Sequence, residues 1–373
     1  MFGEQDFVQY WTAFHFFVQG QNPYDPAATQ VLQCSLGHDC NHVLIAWNPP
    51  WFLILMAPVL LLPFSLAAKA WVFVGLVLGA TSVFLVTRCY GSGPRVVLYA
   101  TVGIFINMPM LLSLGYGQTG SLILFGCALL LHGRAKTKSN LQQAIALVIL
   151  LLKPHLFLLV GVALLWDELT HNRFVLIAYT AGILILMIAA LMLVNPFVLQ
   201  VWFDHFGGSS AGAGVVGLTE WNTPTVSNYL RLAVKGPLEE RADVLLIATP
   251  ICAALLVAIW LWRGRTLCWR RVLPPLLVLS MWLAPYGWAY DWAAMGILQA
   301  ALLCRLAASG SNLKLWIATA VIVVAQTTAM YLTLGIQLSL ETLIWLPAVL
   351  LALWYGTAVT TGPTADTQIA GKT

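Results

Sequence analysis

Long apolar runs recur along the whole of this sequence, and they limit the possible folds more strongly than any single motif. Each run has roughly 15 to 22 residues, about the length that an α-helix needs to cross the hydrocarbon core of a bilayer. Only 9% of the 373 residues are charged, whereas a soluble domain carries about 25%. The alternating pattern of a closed β-barrel is absent. The sequence therefore predicts an all-α polytopic membrane protein with about 11–12 transmembrane or half-spanning helices.

The positions of these runs define the expected organisation of the chain. Pro58 and Pro63 interrupt the run at 51–66, which we interpret as a half-span or re-entrant helix. Transmembrane or half-spanning helices are predicted at 68–88, 95–113, 119–132, 139–153, 154–167, 173–194, 243–263, 271–285, 289–307, 313–333 and 338–356. The other segments are too small for a core of their own, so 1–356 is interpreted as one transmembrane domain. The polar segment 357–373 is expected to be a disordered tail.

The positively charged residues predict the orientation of the spans. Short loops rich in Lys and Arg face the cytoplasm, and here those residues are Arg88, Arg95, Arg134, Lys136, Lys138, Arg263, Arg265, Arg270, Arg271, Arg305 and Lys314. The segments on the external, periplasmic side of a plasma (inner) membrane are then 1–48, 115–118, 153–155, 195–242 and 285–291. The net charge of +4 arises in these loops and does not indicate nucleic-acid binding.

The first external loop begins with a short helix. Residues 7–19 carry large apolar side chains toward one side, and they are too few to span a bilayer, which suits a helix lying in the membrane interface. Gly20 ends this helix, and Asn22-Pro23-Tyr24-Asp25-Pro26 is typical of a turn.

Two cysteines follow in the same loop. Cys34 and Cys40 lie close to His38, Asp39 and His42. The two cysteines can form a disulfide, remain free thiols or take part in a metal cluster with these neighbours. The spacing matches no standard zinc site. An external loop favours oxidation to a disulfide.

Two carboxylates of the first loop are candidates for a catalytic base. Such a group can take a proton from an attacking hydroxyl. Asp25 can equally form an Asx turn before Pro26. Asp6 has no evident turn role, and its alternative is a solvated acid in the loop.

Lys153 lies where two runs of about 14 residues meet, each short for a bilayer of about 30 Å. We interpret the runs as two short helices that leave a polar depression near the external surface, suited to the head group of a lipid-linked substrate. A charge at such depth needs a partner, which is either a phosphate of that substrate or, for a snorkelling side chain, water. His155 lies beside Lys153 and is ambiguous alone.

Three further polar residues lie at external span ends. Gln118 can hydrogen-bond a sugar hydroxyl or cap a helix. Tyr290 and Asp291 are candidates for substrate contacts, although an Asp at a helix start is also favoured by the helix dipole. In the loop 195–242, a glycine-rich stretch at 207–217 and a predicted interfacial helix at 225–231 form either a mobile flap or a simple connector.

Several kinds of site are absent from the sequence. There is no phosphate-binding P-loop, no HExxH motif and no series of carboxylates along the spans as in proton-driven transporters. We therefore expect no cofactor and no metal-dependent site.

Motifs in order along the chain resemble those of glycosyltransferase family 87. These are Asp6-Phe7, Tyr10, Ala13, Gly20, Asn22-Pro23-Tyr24-Asp25-Pro26, Pro49-Pro50, Gly117-Gln118, Lys153-Pro154, Pro285-Tyr286 and Tyr290-Asp291. The characterised members are α-mannosyltransferases of the GT-C class that use polyprenol-phosphate mannose.

The resemblance implies a GT-C helical bundle whose site faces away from the cytoplasm. Asp6 falls on the catalytic aspartate of the first external loop, and Lys153 and Gln118 fall on positions near the donor. Tyr24, Asp25, His155, Tyr290 and Asp291 are the other expected substrate-binding residues. The family also has a transmembrane helix before this loop, so a first span is expected upstream of this sequence, unless packing alone holds the N-terminus outside.

The function implied is transfer of a hexose, mannose, from a polyprenyl-phosphate donor to a lipid or glycan acceptor with inversion at the anomeric carbon. Asp6 acts as general base, and Lys153, with Arg231 or Arg241, meets the charge of the leaving phosphate. The alternatives are a transporter or flippase of lipid-linked intermediates, which also needs a polar cavity, and a non-catalytic assembly factor.

Overall fold

The computed structural model describes residues 3–91, 93–171, 173–207, 221–234, 241–264 and 267–358. Within these ranges the chain is helical and contains no strand. The α-helices are α1 (Phe7–Val18), α2 (Pro26–Ser35), α3 (Trp51–Leu60), α4 (Phe64–Tyr90), α5 (Pro94–Phe105), α6 (Met108–Tyr116), α7 (Gly120–His132), α8 (Asn140–Leu150), α9 (Leu158–Thr170), α10 (Val175–Val194), α11 (Val198–Gly207), α12 (Val226–Val234), α13 (Val244–Trp262), α14 (Trp269–Trp282), α15 (Met295–Ser309), α16 (Asn312–Met330) and α17 (Trp345–Ala358).

Shorter helical turns join several of these helices. Turns of 3₁₀-helix occupy Pro154–Phe157, Ala289–Ala294 and Leu340–Ile344, and π-helical turns occupy Gly133–Thr137 and Tyr331–Gly335.

Six helical segments of the described chain are long and apolar enough to cross a membrane, or seven if one bent pair is counted as a span. They are Phe64–Tyr90, Val175–Val194, Val244–Trp262, Ala289–Ser309, Asn312–Gly335 and Leu340–Thr357. In α10 and α13 only 17% of the most apolar window is buried inside the protein. Helices that expose so much apolar surface are stable in lipid. The prediction of an all-α polytopic membrane protein is confirmed.

The short helices predicted near the external surface are also present. The helix α3 has ten residues and is followed by a turn at Pro63, so the run at 51–66 does contain a short helix rather than a full span. The helices α8 and α9 have 11 and 13 residues, and the 3₁₀ turn Pro154–Phe157 separates them next to Lys153.

The span predicted at 95–113 is present as a bent pair of helices rather than as one continuous helix. The segment consists of α5 and α6, which are bent by 56°. Pro109 lies in the first turn of α6, and a proline there disfavours helical continuation from the preceding residues. The Asn107 side chain donates to the carbonyl oxygen of Ala293 (2.7 Å), while the amide of Met108 donates to Oε1 of Gln326 (2.9 Å). Neighbouring helices thus satisfy groups at the break.

The first loop is more ordered and more buried than predicted. The helix α1 confirms the helix expected at 7–19, but it packs against α2, α3 and α4 and buries eight of its 12 residues, rather than lying on the surface by one face. The loop expected around Cys34 is wrong in part, because Pro26–Ser35 is helical and Asp25 caps it. Cys34 and Cys40 form a disulfide.

The basic loops meet at one end of the helical bundle. The backbone carbonyl of Arg270 accepts from the Tyr90 hydroxyl (2.6 Å), and the guanidinium of Arg270 donates to the carbonyl of Ala135 (3.5 Å). Arg95 hydrogen-bonds Asn312 at the same end. The segments predicted to lie outside meet at the opposite end, as the next section describes. This arrangement agrees with the predicted alternation of loops.

A buried charge cluster closes the basic end. The Arg134 guanidinium pairs with Asp167 (3.0 Å) and Glu168 (2.8 Å), and Arg173 also bonds Asp167 (2.7 Å). Because each buried charge has a partner, the cluster can join the π-helical turn Gly133–Thr137 to α9 and the following loop without the cost of an unpaired ion.

Some predictions fall partly outside the described residues. Of the glycine-rich stretch at 207–217, only Gly207 is described, as the end of α11. The interfacial helix predicted at 225–231 corresponds to α12. Of the predicted tail, Thr357 and Ala358 belong to α17, and 359–373 lie outside the described residues.

Candidate active site

A tight contact between two loops determines the position of Asp6. The amide of Gly3 donates to the carbonyl of Gly115 (2.7 Å), and the amide of Asp6 donates to the carbonyl of Tyr116 (2.8 Å). Gly117 has a φ of +76°, and a Cβ there would lie 2.2 Å from the carbonyl oxygen of Gly3. Glycine is therefore required at this position to let the start of the chain lie against the end of α6.

The Asp6 side chain belongs to a buried chain of hydrogen bonds. Asp6 precedes α1 at its N-cap position, but its carboxylate makes no capping bond. Its Oδ2 atom instead accepts from the side-chain amide of Gln118 (2.7 Å), whose Oε1 accepts from the Tyr10 hydroxyl (2.5 Å). Asp6 is partly exposed, whereas Gln118 and Tyr10 are buried. One carboxylate oxygen is thus held by Gln118, and Asp6 can still reach a molecule in the site.

Burial raises the pKa of Asp6, because it disfavours the charged carboxylate. The hydrogen bond from Gln118 and the charge of Lys153 oppose this shift, while the charge of Asp291 adds to it. Burial also raises the pKa of Tyr10 well above its ordinary value, so its hydroxyl remains a donor to Gln118. A carboxylate with a raised pKa is a stronger base than a solvated one.

Lys153 lies at the turn between α8 and α9 and forms an ion pair with Asp291. The two side chains are 14% and 3% exposed. The other oxygen of Asp291 accepts from the backbone amide of Trp288 (3.0 Å). Lys153 was predicted to need a partner, and in this structure the partner is a carboxylate of the protein. The pair holds the 3₁₀ turn Ala289–Ala294 against the end of α8.

Tyr290 lies between the Asp6 contact and Lys153. Its ring centroid is 5.6 Å from the Lys153 Nζ atom and 6.1 Å from the ring of Tyr116, whose carbonyl accepts the Asp6 amide. Gly120 allows this approach, since a Cβ there would lie 2.5 Å from the Tyr290 carbonyl oxygen. The sequence brings Asp6, Lys153 and Tyr290 together from three segments far apart in the chain.

The remaining predicted residues make other contacts. His155 stacks on Tyr286 with ring centroids 4.0 Å apart. Tyr24 is buried and stacks on His205 at 5.8 Å. Asp25 accepts from the amides of Ala27 (2.9 Å) and Ala28 (3.2 Å), which is the turn role considered for it. Substrate contacts by these three residues stay predictions.

Arg231 does not fit the phosphate-binding role considered for it. Its side chain is 2% exposed, and its guanidinium donates to Asn228 (2.8 Å) and to the carbonyl of Trp221 (3.2 Å). It also lies 3.6 Å from the Asp243 carboxylate. Arg231 therefore supports the backbone at Trp221 from inside the protein.

Three tryptophans at this end of the bundle were not among the predicted site residues, because tryptophan at a span end is typical of an interfacial anchor. The rings of Trp47 and Trp221 are 5.5 Å apart, those of Trp221 and Trp288 are 5.9 Å apart, and Trp288 stacks on Tyr290 at 6.2 Å. The only available signal was the position of Trp221 and Trp288 in external segments that also carry candidate site residues.

Two other features of the described residues lie away from this centre. A groove of about 580 Å³ between α16 and α17 is lined mainly by apolar side chains and contains none of the predicted site residues. The described residues contain no group of three His, Cys, Asp or Glu arranged to hold a metal ion.

Comparison with known proteins identifies the family. The model of Glycosyltransferase family 87 matches residues 47–285, which is more than half of the chain. The matched region includes Gln118 and Lys153, while Asp6 and Asp291 lie outside it. No curated protein and no solved structure matches the chain significantly. On the family match, this chain belongs to glycosyltransferase family 87.

Proposed function

We propose that this glycosyltransferase moves a hexose, mannose, from a polyprenyl-phosphate sugar to a hydroxyl of a lipid or glycan acceptor, with Asp6 as general base. The protein lies in the plasma (inner) membrane, and its site faces the external, periplasmic side. This side is supported by the basic loops, which lie at the other end of the bundle.

The observation that carries the proposal is the convergence of Asp6, Gln118 and Lys153 at one end of the bundle. Gln118 hydrogen-bonds Asp6, and the charge of Lys153 acts on the same carboxylate. A base and a cation within one partly buried site are the two groups that displacement of a phosphate by a hydroxyl requires.

The reaction is a single displacement. The free oxygen of Asp6 removes the proton of the acceptor hydroxyl, whose oxygen forms a bond to C1 of the sugar. The bond between C1 and the phosphate oxygen breaks at the same time, and polyprenyl phosphate leaves with the electron pair. Attack from the face opposite the leaving group inverts the anomeric carbon.

Lys153 stabilises the leaving phosphate in this scheme. Its ammonium has three donors, and one of them is engaged by Asp291. The others are available for phosphate oxygens. Asp291 thus orients the ammonium before the donor binds, which removes part of the entropic cost of ordering it.

The test is transfer by the purified protein in lipid nanodiscs, with polyprenyl-phosphate [³H]mannose and a lipid and glycan extract as acceptor. Asp6→Ala should reduce transfer by about 10²–10⁴-fold, the usual contribution of a general base. Asp39→Asn is the matched control, because Asp39 is an exposed acid of the same loop, and it should leave the rate unchanged.

Two results would overturn the proposal. Transfer by Asp6→Ala at the rate of the unaltered protein would remove Asp6 as the base. Movement of the labelled donor across a vesicle membrane, with no new glycosidic bond in any product, would instead favour a flippase.

A further inference from the structure

The candidate site continues outward as a row of aromatic rings. This aromatic wall consists of Tyr290, Trp288, Trp221 and Trp47, and each ring contacts the next at 5.5 to 6.2 Å. The four residues come from three separate segments of the chain. All four are partly exposed, so part of the wall can contact a molecule in the site.

The backbone of the wall is held by two buried charged groups. Asp291, which is buried, accepts from the amide of Trp288 (3.0 Å). Arg231, which is also buried, donates to the carbonyl of Trp221 (3.2 Å). Buried charges are costly unless they are paired and hydrogen-bonded. Two of them here hold the main chain at the two central tryptophans, which preorganises the wall.

A membrane anchor does not account for this arrangement. Interfacial tryptophans contact the lipid head groups with their polar edges. In the wall, the rings instead contact one another, and the inner end lies beside the catalytic centre, with Tyr290 5.6 Å from the Lys153 ammonium. The wall is therefore continuous with the site that contains Asp6 and Lys153.

Aromatic faces carry a negative quadrupole and attract the weakly positive C–H groups on one face of a pyranose ring. A row of several rings offers more than one such surface. We propose that the aromatic wall binds the acceptor as an extended saccharide of at least two sugar rings, with its terminal hydroxyl directed to Asp6. The role as acceptor site rests on the proposed transferase function, whereas saccharide binding itself can be measured without transfer.

The experiment measures binding of unbranched mannotriose and of methyl α-mannopyranoside by saturation-transfer difference NMR. The protein is held in lipid nanodiscs, because glycoside detergents would compete for the wall. Mannotriose should bind at least about tenfold more tightly than the monosaccharide, which corresponds to about 1.4 kcal/mol.

Variants then locate the binding. Trp221→Leu and Trp288→Leu should each weaken mannotriose binding by roughly tenfold, as expected for a central aromatic contact. Trp221→Phe keeps an aromatic face and should keep most of the affinity. Trp316→Leu is the matched control, because Trp316 is 63% exposed on α16, and it should bind as the unaltered protein does. Thermal unfolding of each variant shows whether it is folded.

Each outcome decides the inference. Equal affinity in the unaltered protein and in folded Trp221→Leu and Trp288→Leu would overturn it, as would the absence of saturable mannotriose binding. Binding that needs the wall in a protein with no transfer activity would support the saccharide site and overturn the transferase proposal. Transfer to a saccharide acceptor with a KM unchanged in both leucine variants would keep the transferase and overturn the wall as its acceptor site.

Discussion

The side-chain amide of Gln118 donates a 2.7 Å hydrogen bond to the carboxylate of Asp6, from a position 112 residues further along the chain. The same amide accepts from the Tyr10 hydroxyl, so its orientation is fixed with the N–H toward Asp6. Gln118 thereby holds one oxygen of the proposed base and favours its ionised form.

Removal of this hydrogen bond should change the pH dependence of transfer. The pKa of Asp6 is raised by burial and lowered by Gln118, so Gln118→Leu should raise it further. A base must be deprotonated, and the rate therefore falls as pH decreases through this pKa. The acid limb of kcat/KM should move to higher pH in the variant. An unchanged acid limb in Gln118→Leu would contradict the assignment of that limb to Asp6.

The ion pair between Lys153 and Asp291 should contribute to stability through its burial. Asp291→Ala leaves the Lys153 ammonium unpaired and should cost about 3–5 kcal/mol of unfolding free energy. Asp291→Asn keeps an acceptor for the Trp288 amide and should cost less. The measurement is the free energy of unfolding of the two variants and the unaltered protein, by urea or heat, in a mild detergent. Equal stability of Asp291→Ala and the unaltered protein would show that the pair is not buried as described.

Gly117 should be needed for activity because of the close approach of Gly3. Gly117→Ala places a Cβ 2.2 Å from the Gly3 carbonyl oxygen at a φ of +76°, and we expect it to displace Asp6 and reduce transfer at least about tenfold. Gly20→Ala is the matched control, since Gly20 has a φ of +68° and no atom within 4 Å. It should cost only about 1 kcal/mol of stability. Similar transfer rates in the two variants would contradict this account.

The disulfide between Cys34 and Cys40 allows a test of orientation. In intact cells, a membrane-impermeant reductant followed by an impermeant maleimide should label these two thiols. Cys268 is an exposed free cysteine at the basic end, and it should be labelled only after permeabilisation. The reverse pattern would place the site on the cytoplasmic side. Removal of the disulfide should cost about 2 kcal/mol, because it closes a short loop.

Much of the fold follows from local sequence. Run length and charge predict the spans, and Pro58 and Pro63 predict the short helix α3. The bend between α5 and α6 was missed because Ala293 and Gln326, which hydrogen-bond groups at the break, come from distant segments. Apolar periodicity alone does not report such tertiary hydrogen bonds.

The sequence indicated individual residues of the candidate site but not the contacts between them. The polar residues Asp6, Gln118 and Lys153 stand out in an apolar chain. The ion pair with Asp291 joins positions 138 residues apart, and neither a hydropathy pattern nor a single motif indicates that pairing. A tryptophan at a span end is also typical of an interfacial anchor. The sequence therefore does not distinguish the wall tryptophans from such anchors, and only their ring contacts do.

The most direct test of the central claim is a double-mutant cycle on the transfer rate with Asp6→Asn and Lys153→Met. Groups that act in one transition state are strongly non-additive in their effects on rate. If Asp6 and Lys153 serve one reaction centre, the double variant should be scarcely slower than the slower single variant. If the double variant instead loses transfer rate by the product of the two single-variant factors, the two residues act independently, which would contradict a shared centre.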